Sequence, residues 1–347
     1  MVQHSCLPPR SWPRLLSGLQ PESSLMVLVD LDAARGPSTA PQPTTRRAAD
    51  NLEIEVAYLW MLVSAFSFAT MGALAHALRD NVDWQIVALV RAFVTLVVFG
   101  VAAVLAGVKL HFWRPRSLWL RSLPGGISLV CTFFALAHLP VSIVITLTNI
   151  YPIWVAFLSW PLLRQRPRKS VWLAALAGVV GVALVQQPQV AVGNYAVLVA
   201  VLGSFTMALA MIALHRLQDM STQVVVFHFS LVALMFALAS LFFGKWTVSP
   251  STLLDMRIAL TLAGVGVAAT FGQLFITLAY AAGPPSEVAV VSLTQVLFAF
   301  GYDTLFWGHA FRLPTLIGMV LVVAPTLWFM ATARKTNAVP PQDTGIV

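Results

Sequence analysis

Charge is scarce in this sequence. Asp, Glu, Lys and Arg make up only 10% of its 347 residues, whereas a soluble surface needs roughly 25–35% of them. The shortage excludes a water-facing enzyme and a nucleic-acid-binding module. With 59% hydrophobic residues, it also excludes a disordered chain. Cysteine is nearly absent: Cys6 and Cys131 are too few for a disulfide framework or a cysteine-rich metal centre. No cluster of His, Cys and carboxylates has metal-ligand spacing, so neither a metal nor another cofactor is expected. No G-x-x-x-x-G-K-[ST] run occurs, which removes ATP-driven transport by this chain alone.

Long apolar runs are abundant instead, and the mean hydropathy is +0.82. A membrane-crossing helix takes about 20 apolar residues. Such stretches fall at Ala57–Leu78, Trp84–Ala106, Leu118–Ala137, Val141–Leu163 and Val171–Gln187. Five more follow at Ala196–Leu214, Val224–Phe243, Ile258–Ala281, Val288–Trp307 and Leu313–Ala333. The third and fifth are the weakest, being short and polar at their edges. The expected fold is therefore an all-α polytopic membrane protein of ten transmembrane helices. Residues 1–50 hold seven of the 21 prolines and no sustained apolar run. They read as a disordered tail or as sequence upstream of a misassigned start, and 335–347 as a second disordered tail.

Basic residues set the orientation. With the N-terminus placed in the cytoplasm, thirteen bases fall on that side: Arg46, Arg47, Lys109, Arg114, Arg116, Arg121, Arg164, Arg166, Arg168, Lys169, Arg216, Arg334 and Lys335. Only Arg79, Lys245, Arg257 and Arg312 fall opposite. Both termini are thus expected in the cytoplasm, with a bacterial inner membrane as the location.

The chain also repeats itself. Ala135, Ala137, Pro140, Ser142 and Val144 match Ala279, Ala281, Pro284, Ser286 and Val288 at an offset of 144. Ser67-Phe68 matches Ser204-Phe205 at an offset of 137, a register that places Arg91 on His228. Each half, 57–187 and 194–334, then holds five spans. Because five is odd, the second half must enter the membrane inverted, as in many carriers built around a central site.

The order and spacing of several runs resemble the EamA-domain transporters of the drug/metabolite transporter superfamily. They are Leu89-Val90-Arg91-Ala92-Phe93, the stretch from Phe134 to Pro167 with Asn149-Ile150-Tyr151-Pro152-Ile153-Trp154, and in the second half Gly272-Gln273, Ala279-Tyr280 and Thr294-Gln295. The resemblance covers about Ala57–Arg334 and implies a secondary carrier. That family usually places a glutamate near the ends of helices four and nine. Gln165 and His309 stand there instead, so that residue's role does not carry over.

Ionisable groups within spans point to function, because each costs about 2.5–3.5 kcal/mol unless it faces an interior. Arg91 cannot realistically shed its charge. It either binds a substrate carboxylate or an outer-gate acid, or else snorkels and cements packing. Asp303, Glu287 and His228 are candidates for coupling or gating. Asp303 shares a helical face with Ser292, Gln295 and Ala299, but an interfacial aspartate fits the same position, and His228 fits a hydrogen-bonded structural histidine. Candidate substrate-binding residues are Arg91, Asn149, Tyr151, Trp154, Ser292 and Gln295. Tyr151 and Trp154 read equally as core aromatics. Pro152 should kink the fourth span near the bilayer centre. Ala65, Ala69, Ala73 and Ala77 form a smooth strip for helix packing.

The expected function is transport of a small organic metabolite (an amino acid, amine, nucleoside derivative or drug-like compound) by alternating access. The alternative is an intramembrane enzyme acting on lipid or isoprenoid phosphate. The expected partners are a small-molecule substrate and the lipid bilayer, with no nucleic acid; a homodimer is the assembly to test.

Overall fold

The computed structural model describes residues 43–108, 116–139, 141–186, 195–242, 250–307 and 312–337. All regular structure among them is helical. The first half contains α1 (Pro43–Ala77), α2 (Trp84–Leu105), α3 (Arg116–His138), α4 (Val141–Thr148), α5 (Tyr151–Leu163) and α6 (Lys169–Gln186). The second contains α7 (Tyr195–His215), α8 (Thr222–Leu241), the short α9 (Pro250–Leu253), α10 (Met256–Ala282), α11 (Pro285–Val291), α12 (Gln295–Trp307) and α13 (Leu313–Asn337). α1 begins inside the segment expected to be a tail, which otherwise lies outside the described residues, and α13 runs past Arg334.

Eight helical stretches among the described residues are long and apolar enough to cross a membrane. Their outward faces confirm the solvent they need. On α2, Phe93, Val97, Val98, Val101, Val104 and Leu105 are all exposed. A continuous apolar face of that kind is unstable in water but matches lipid. The protein is a polytopic membrane protein. The two expected spans missing from the eight are the third and fifth. α3 carries Arg116, Arg121 and the run Pro124-Gly125-Gly126, and the apolar part of the α6 helix, Lys169–Val185, is shorter than the others.

The fourth and ninth spans are interrupted. A turn at Asn149–Ile150 separates α4 from α5, so Pro152 stands in the first turn of a new helix. The expected kink is therefore a break. The ninth span breaks at Ser292–Thr294, a 3-10 turn between α11 and α12. Side chains that bond back to carbonyls explain both. Thr148 Oγ1 and Asn149 Nδ2 each donate over 2.8 Å, to Val144 and Ile145. Ser292 Oγ donates to Ala289 O over 2.6 Å and Thr294 Oγ1 to Val291 O over 2.8 Å. These bonds compete with the helical ladder and loosen it.

Packing joins the two halves throughout. α3 lies against α7 and α8, α2 against α8 and α10, α5 against α7 and α11, and α6 against α13. Ser64 Oγ of α1 donates to the Gly272 carbonyl of α10 over 2.9 Å. The adjacent small strip is buried at Ala65 and Ala69. The α6–α13 crossing is closer still. A Cβ on Gly181 would lie 2.7 Å from the Gly318 carbonyl oxygen, and one on Gly318 would lie 2.5 Å from that of Gly181. The flanking contacts are reciprocal too: Gly181 faces Val322 and Leu321, while Gly318 faces Val185 and Leu184.

Candidate functional site

A cavity of about 150 Å³ lies among α1, α2, α3, α7, α8 and α10. Two arginines line it, Arg91 from α2 and Arg121 from α3. Its neutral polar groups are Ser128, Thr132 and Gln273. Its apolar wall is made by Phe68, Met207, Met211, Phe229 and Ile276. A dry engineered cavity of about this size accepts benzene, so the space suits a small metabolite or one end of a longer one. A void of about 10 Å³ continues past Arg91 toward Thr95 and Ser230, near the minimum that a single water requires.

Local sequence places both guanidiniums. Arg91 stands seven residues after Trp84, about 10 Å along α2. Its Cζ lies 5.7 Å from the centroid of the Phe68 ring. Arg121 is only 2% exposed, and its Cζ lies 4.2 Å from the Phe229 ring centroid. Gly125, one turn further along α3, leaves room for it. A Cβ there would lie 2.6 Å from Arg121 Nη1 and 2.8 Å from Phe229 Cε2. The Nε and Nη1 atoms of Arg121 are buried with no hydrogen-bond partner among the described residues. Neither arginine has a carboxylate within ion-pair distance among the described residues. Two permanent cations thus line one cavity whose other described lining residues are all neutral.

This corrects the assignment of Arg121. The positive-inside count took it as one of the cytoplasmic-side bases that set topology, yet it is a buried residue lining the cavity. The signal was present, because Arg121 lies inside the third apolar stretch beginning at Leu118. Arg121, 2% exposed, is thus buried more deeply than Arg91, which is half-buried.

The other candidates are distributed as follows. Tyr151 and Ser292 meet: their hydroxyls are hydrogen-bonded across the two interrupted spans. Tyr280 lies beside Tyr151 and within electrostatic reach of Arg121. Its hydroxyl is buried without a well-aligned partner among the described residues. Trp154 Nε1 donates to Ser204 Oγ over 3.1 Å, and its ring packs edge-on against Phe205 at 5.5 Å. Asn149 spends its amide on Ile145, as described above. Gln295 is half-buried at the start of α12 and is not among the residues lining the cavity. His228 is buried beside α3, with Nδ1 2.8 Å from Ser122 Oγ and its ring edge-on to Trp119 at 4.9 Å. Glu287, in the first turn of α11, accepts a hydrogen bond from Tyr58 of α1. Asp303 belongs to α12, but its side chain lies outside the described residues, as does His309. Gln165 is exposed just beyond α5.

The sequence profile of the EamA-like transporter family matches the chain twice, at residues 55–186 and 194–331. The chain belongs to that family. It is 27% identical over 281 residues to the pseudopaline exporter CntI of Pseudomonas aeruginosa strain UCBPP-PA14, covering 80% of this chain and 96% of that protein. It is 25% identical over 216 residues to an uncharacterized transporter of Helicobacter pylori strain J99, covering 61% of this chain and 72% of the other. A crystal structure superposes with a TM-score of 0.70 over 82% of this chain and 100% of its own, at 17% identity. That likeness supports the fold alone. The family and the exporter relatives identify a membrane transporter of small metabolites rather than an enzyme, which sets aside the intramembrane lipid enzyme.

Proposed function

We propose that the protein is a secondary transporter that exports a small organic metabolite by alternating access, with the Arg91–Arg121 cavity as its substrate site. The cavity carries this reading, because its walls come from both family matches and two arginines and three neutral polar residues line it. Export, rather than import, is supported by the pseudopaline exporters among the relatives.

Ten spans as two inverted repeats, 57–187 and 194–334, fit this mechanism. Gly181 and Gly318 differ by 137, as do the flanking pairs Leu184/Leu321 and Val185/Val322, and these residues contact each other reciprocally. Residues on a two-fold axis behave in this way. At the repeat offset of 144, the turn at Asn149–Ile150 falls on Leu293–Thr294, within the 3-10 turn that interrupts the ninth span. Helix pairing agrees: α2 packs on its counterpart α8, and α6 on its counterpart α13. Tyr58–Glu287 and Tyr151–Ser292 tie the first half to the ninth span, and their opening and closing would accompany rocking. Gln295, Asn149 and Trp154 flank this seam and act on a substrate only once it opens. Asp303 and His228 have no assigned part in the cycle. With Arg121 removed, the topological count becomes twelve bases against four, still placing both termini in the cytoplasm. We assign the protein to the inner membrane.

The test compares the medium and the contents of cells expressing wild type, Arg91→Ala/Arg121→Ala, or an empty vector. A metabolite that falls inside and rises outside only with wild type identifies cargo and direction. Counterflow of that metabolite in liposomes then measures the carrier. If no compound shifts in cells and no solute moves in liposomes under any gradient, the proposal fails.

A further inference from the structure

We infer that the substrate of this cavity is a small organic dianion, with one carboxylate taken by Arg121 and a second by Arg91. The inference rests on the transport reading above and adds its substrate chemistry. A guanidinium keeps its charge, and burying one without a counter-charge is costly. Here two are turned into one cavity of about 150 Å³, and the lining contains no acid. Packing alone does not account for Arg121. The Phe229 ring satisfies its cationic face but offers no lone pair to the N–H groups, and Nε and Nη1 have no hydrogen-bond partner among the described residues. Two buried guanidinium nitrogens without an acceptor among the described residues call for an anionic oxygen, and a carboxylate supplies charge-assisted acceptors of that kind. Arg91, half-buried, lies over a second ring, its Cζ 5.7 Å from the centroid of Phe68. Ser128, Thr132 and Gln273 add neutral polar groups to the same lining, and Met207, Met211 and Ile276 add apolar surface. A single carboxylate would leave one guanidinium uncompensated, and a cationic substrate would add to the repulsion.

Purified full-length protein in detergent tests this by thermal melting with succinate, glutarate and phthalate, against butyrate, benzoate and inorganic phosphate. Ligands that bind the folded state raise the midpoint in proportion to affinity. The dicarboxylates should stabilise wild type at concentrations about 10- to 150-fold below those of the monocarboxylates, the factor expected for one charge-assisted contact. Arg91→Gln and Arg121→Gln should each abolish that preference while keeping weak binding of both classes, and the double variant should bind neither. Without ligand, Arg121→Gln should melt at or above the wild-type temperature, because an uncompensated buried charge has been removed. A lower melting temperature for ligand-free Arg121→Gln overturns the inference and makes Arg121 a packing residue. Equal response to mono- and dicarboxylates overturns it too, as does binding of phosphate in preference to all carboxylates. If exporting cells release a neutral or cationic metabolite, the dianion inference falls while the transporter reading stands. If they release nothing and liposomes move nothing, both fall.

Discussion

Alanine at Gly181 or Gly318 should force α6 and α13 apart, and the two substitutions should not add. Cβ atoms seldom approach other atoms closer than 3.4 Å. In Gly318→Ala the new atom would stand 2.5 Å from the Gly181 carbonyl oxygen, a deficit of 3.4 − 2.5 = 0.9 Å. Gly181→Ala leaves a deficit of 3.4 − 2.7 = 0.7 Å. The obstacle in each case is backbone, which cannot rotate away as a side chain would. Overpacking of this kind costs about 1–3 kcal/mol, partly offset by the roughly 0.5–1 kcal/mol that Ala gains over Gly within a helix. One widening of the crossing relieves both clashes. The double variant should therefore cost about as much as Gly318→Ala alone, giving a coupling energy on the order of 1 kcal/mol. Melting or denaturant unfolding of the four proteins in one detergent measures it. Neutral single variants, or a double variant whose cost equals the sum, would refute the crossing.

Two further outcomes follow from the site. Gly125→Ala places a methyl where Arg121 Nη1 and Phe229 Cε2 now lie. Substrate half-saturation in counterflow should rise about tenfold, which corresponds to about 1.4 kcal/mol, with the amount of folded protein unchanged; an unaltered half-saturation contradicts the placement of Arg121. His228→Ala leaves the buried Ser122 hydroxyl without that bond and should lower stability by about 1–3 kcal/mol. Half-saturation should stay the same, since His228 does not line the cavity. A selective loss of transport without destabilisation would return His228 to the coupling candidates.

Much of this molecule was legible because lipid imposes a simple rule: backbone groups must bond within their own helix, over about 20 apolar residues. Eight spans satisfied it plainly. α3 and α6 were the weakest readings in the sequence, and their stability is tertiary. α3 packs on α7 and α8, and α6 on α13, so neither needs to be apolar all round. Pro152 was visible, but whether the helix would bend or break was not. That depended on Thr148 and Asn149 capturing carbonyls of the preceding turn. Arg121 was misread because charge counting treats a base near a span end as a loop residue. Only the position of Phe229 and the absence of a side chain at Gly125 show that it turns inward. Tyr151 and Ser292 were each read as candidate substrate contacts, yet their bond joins residues 141 apart in sequence, which no periodicity can reveal.

The inward turn of Arg121 also orders the making of the protein. When α3 leaves the ribosome, its arginine has neither the ring that faces it nor the methionines of the opposite wall. Met207, Met211 and Phe229 emerge later, Phe229 by 229 − 121 = 108 residues, or about 5–20 s of synthesis. Over that interval, the third helix carries a permanent charge and a Pro-Gly-Gly run that disfavour stable burial in lipid by itself. Its final seating must await α7 and α8. The first half is thus an unfinished object until the second is inserted around it, and a chain truncated before Thr222 would present α3 to the cell's membrane quality control rather than half a carrier.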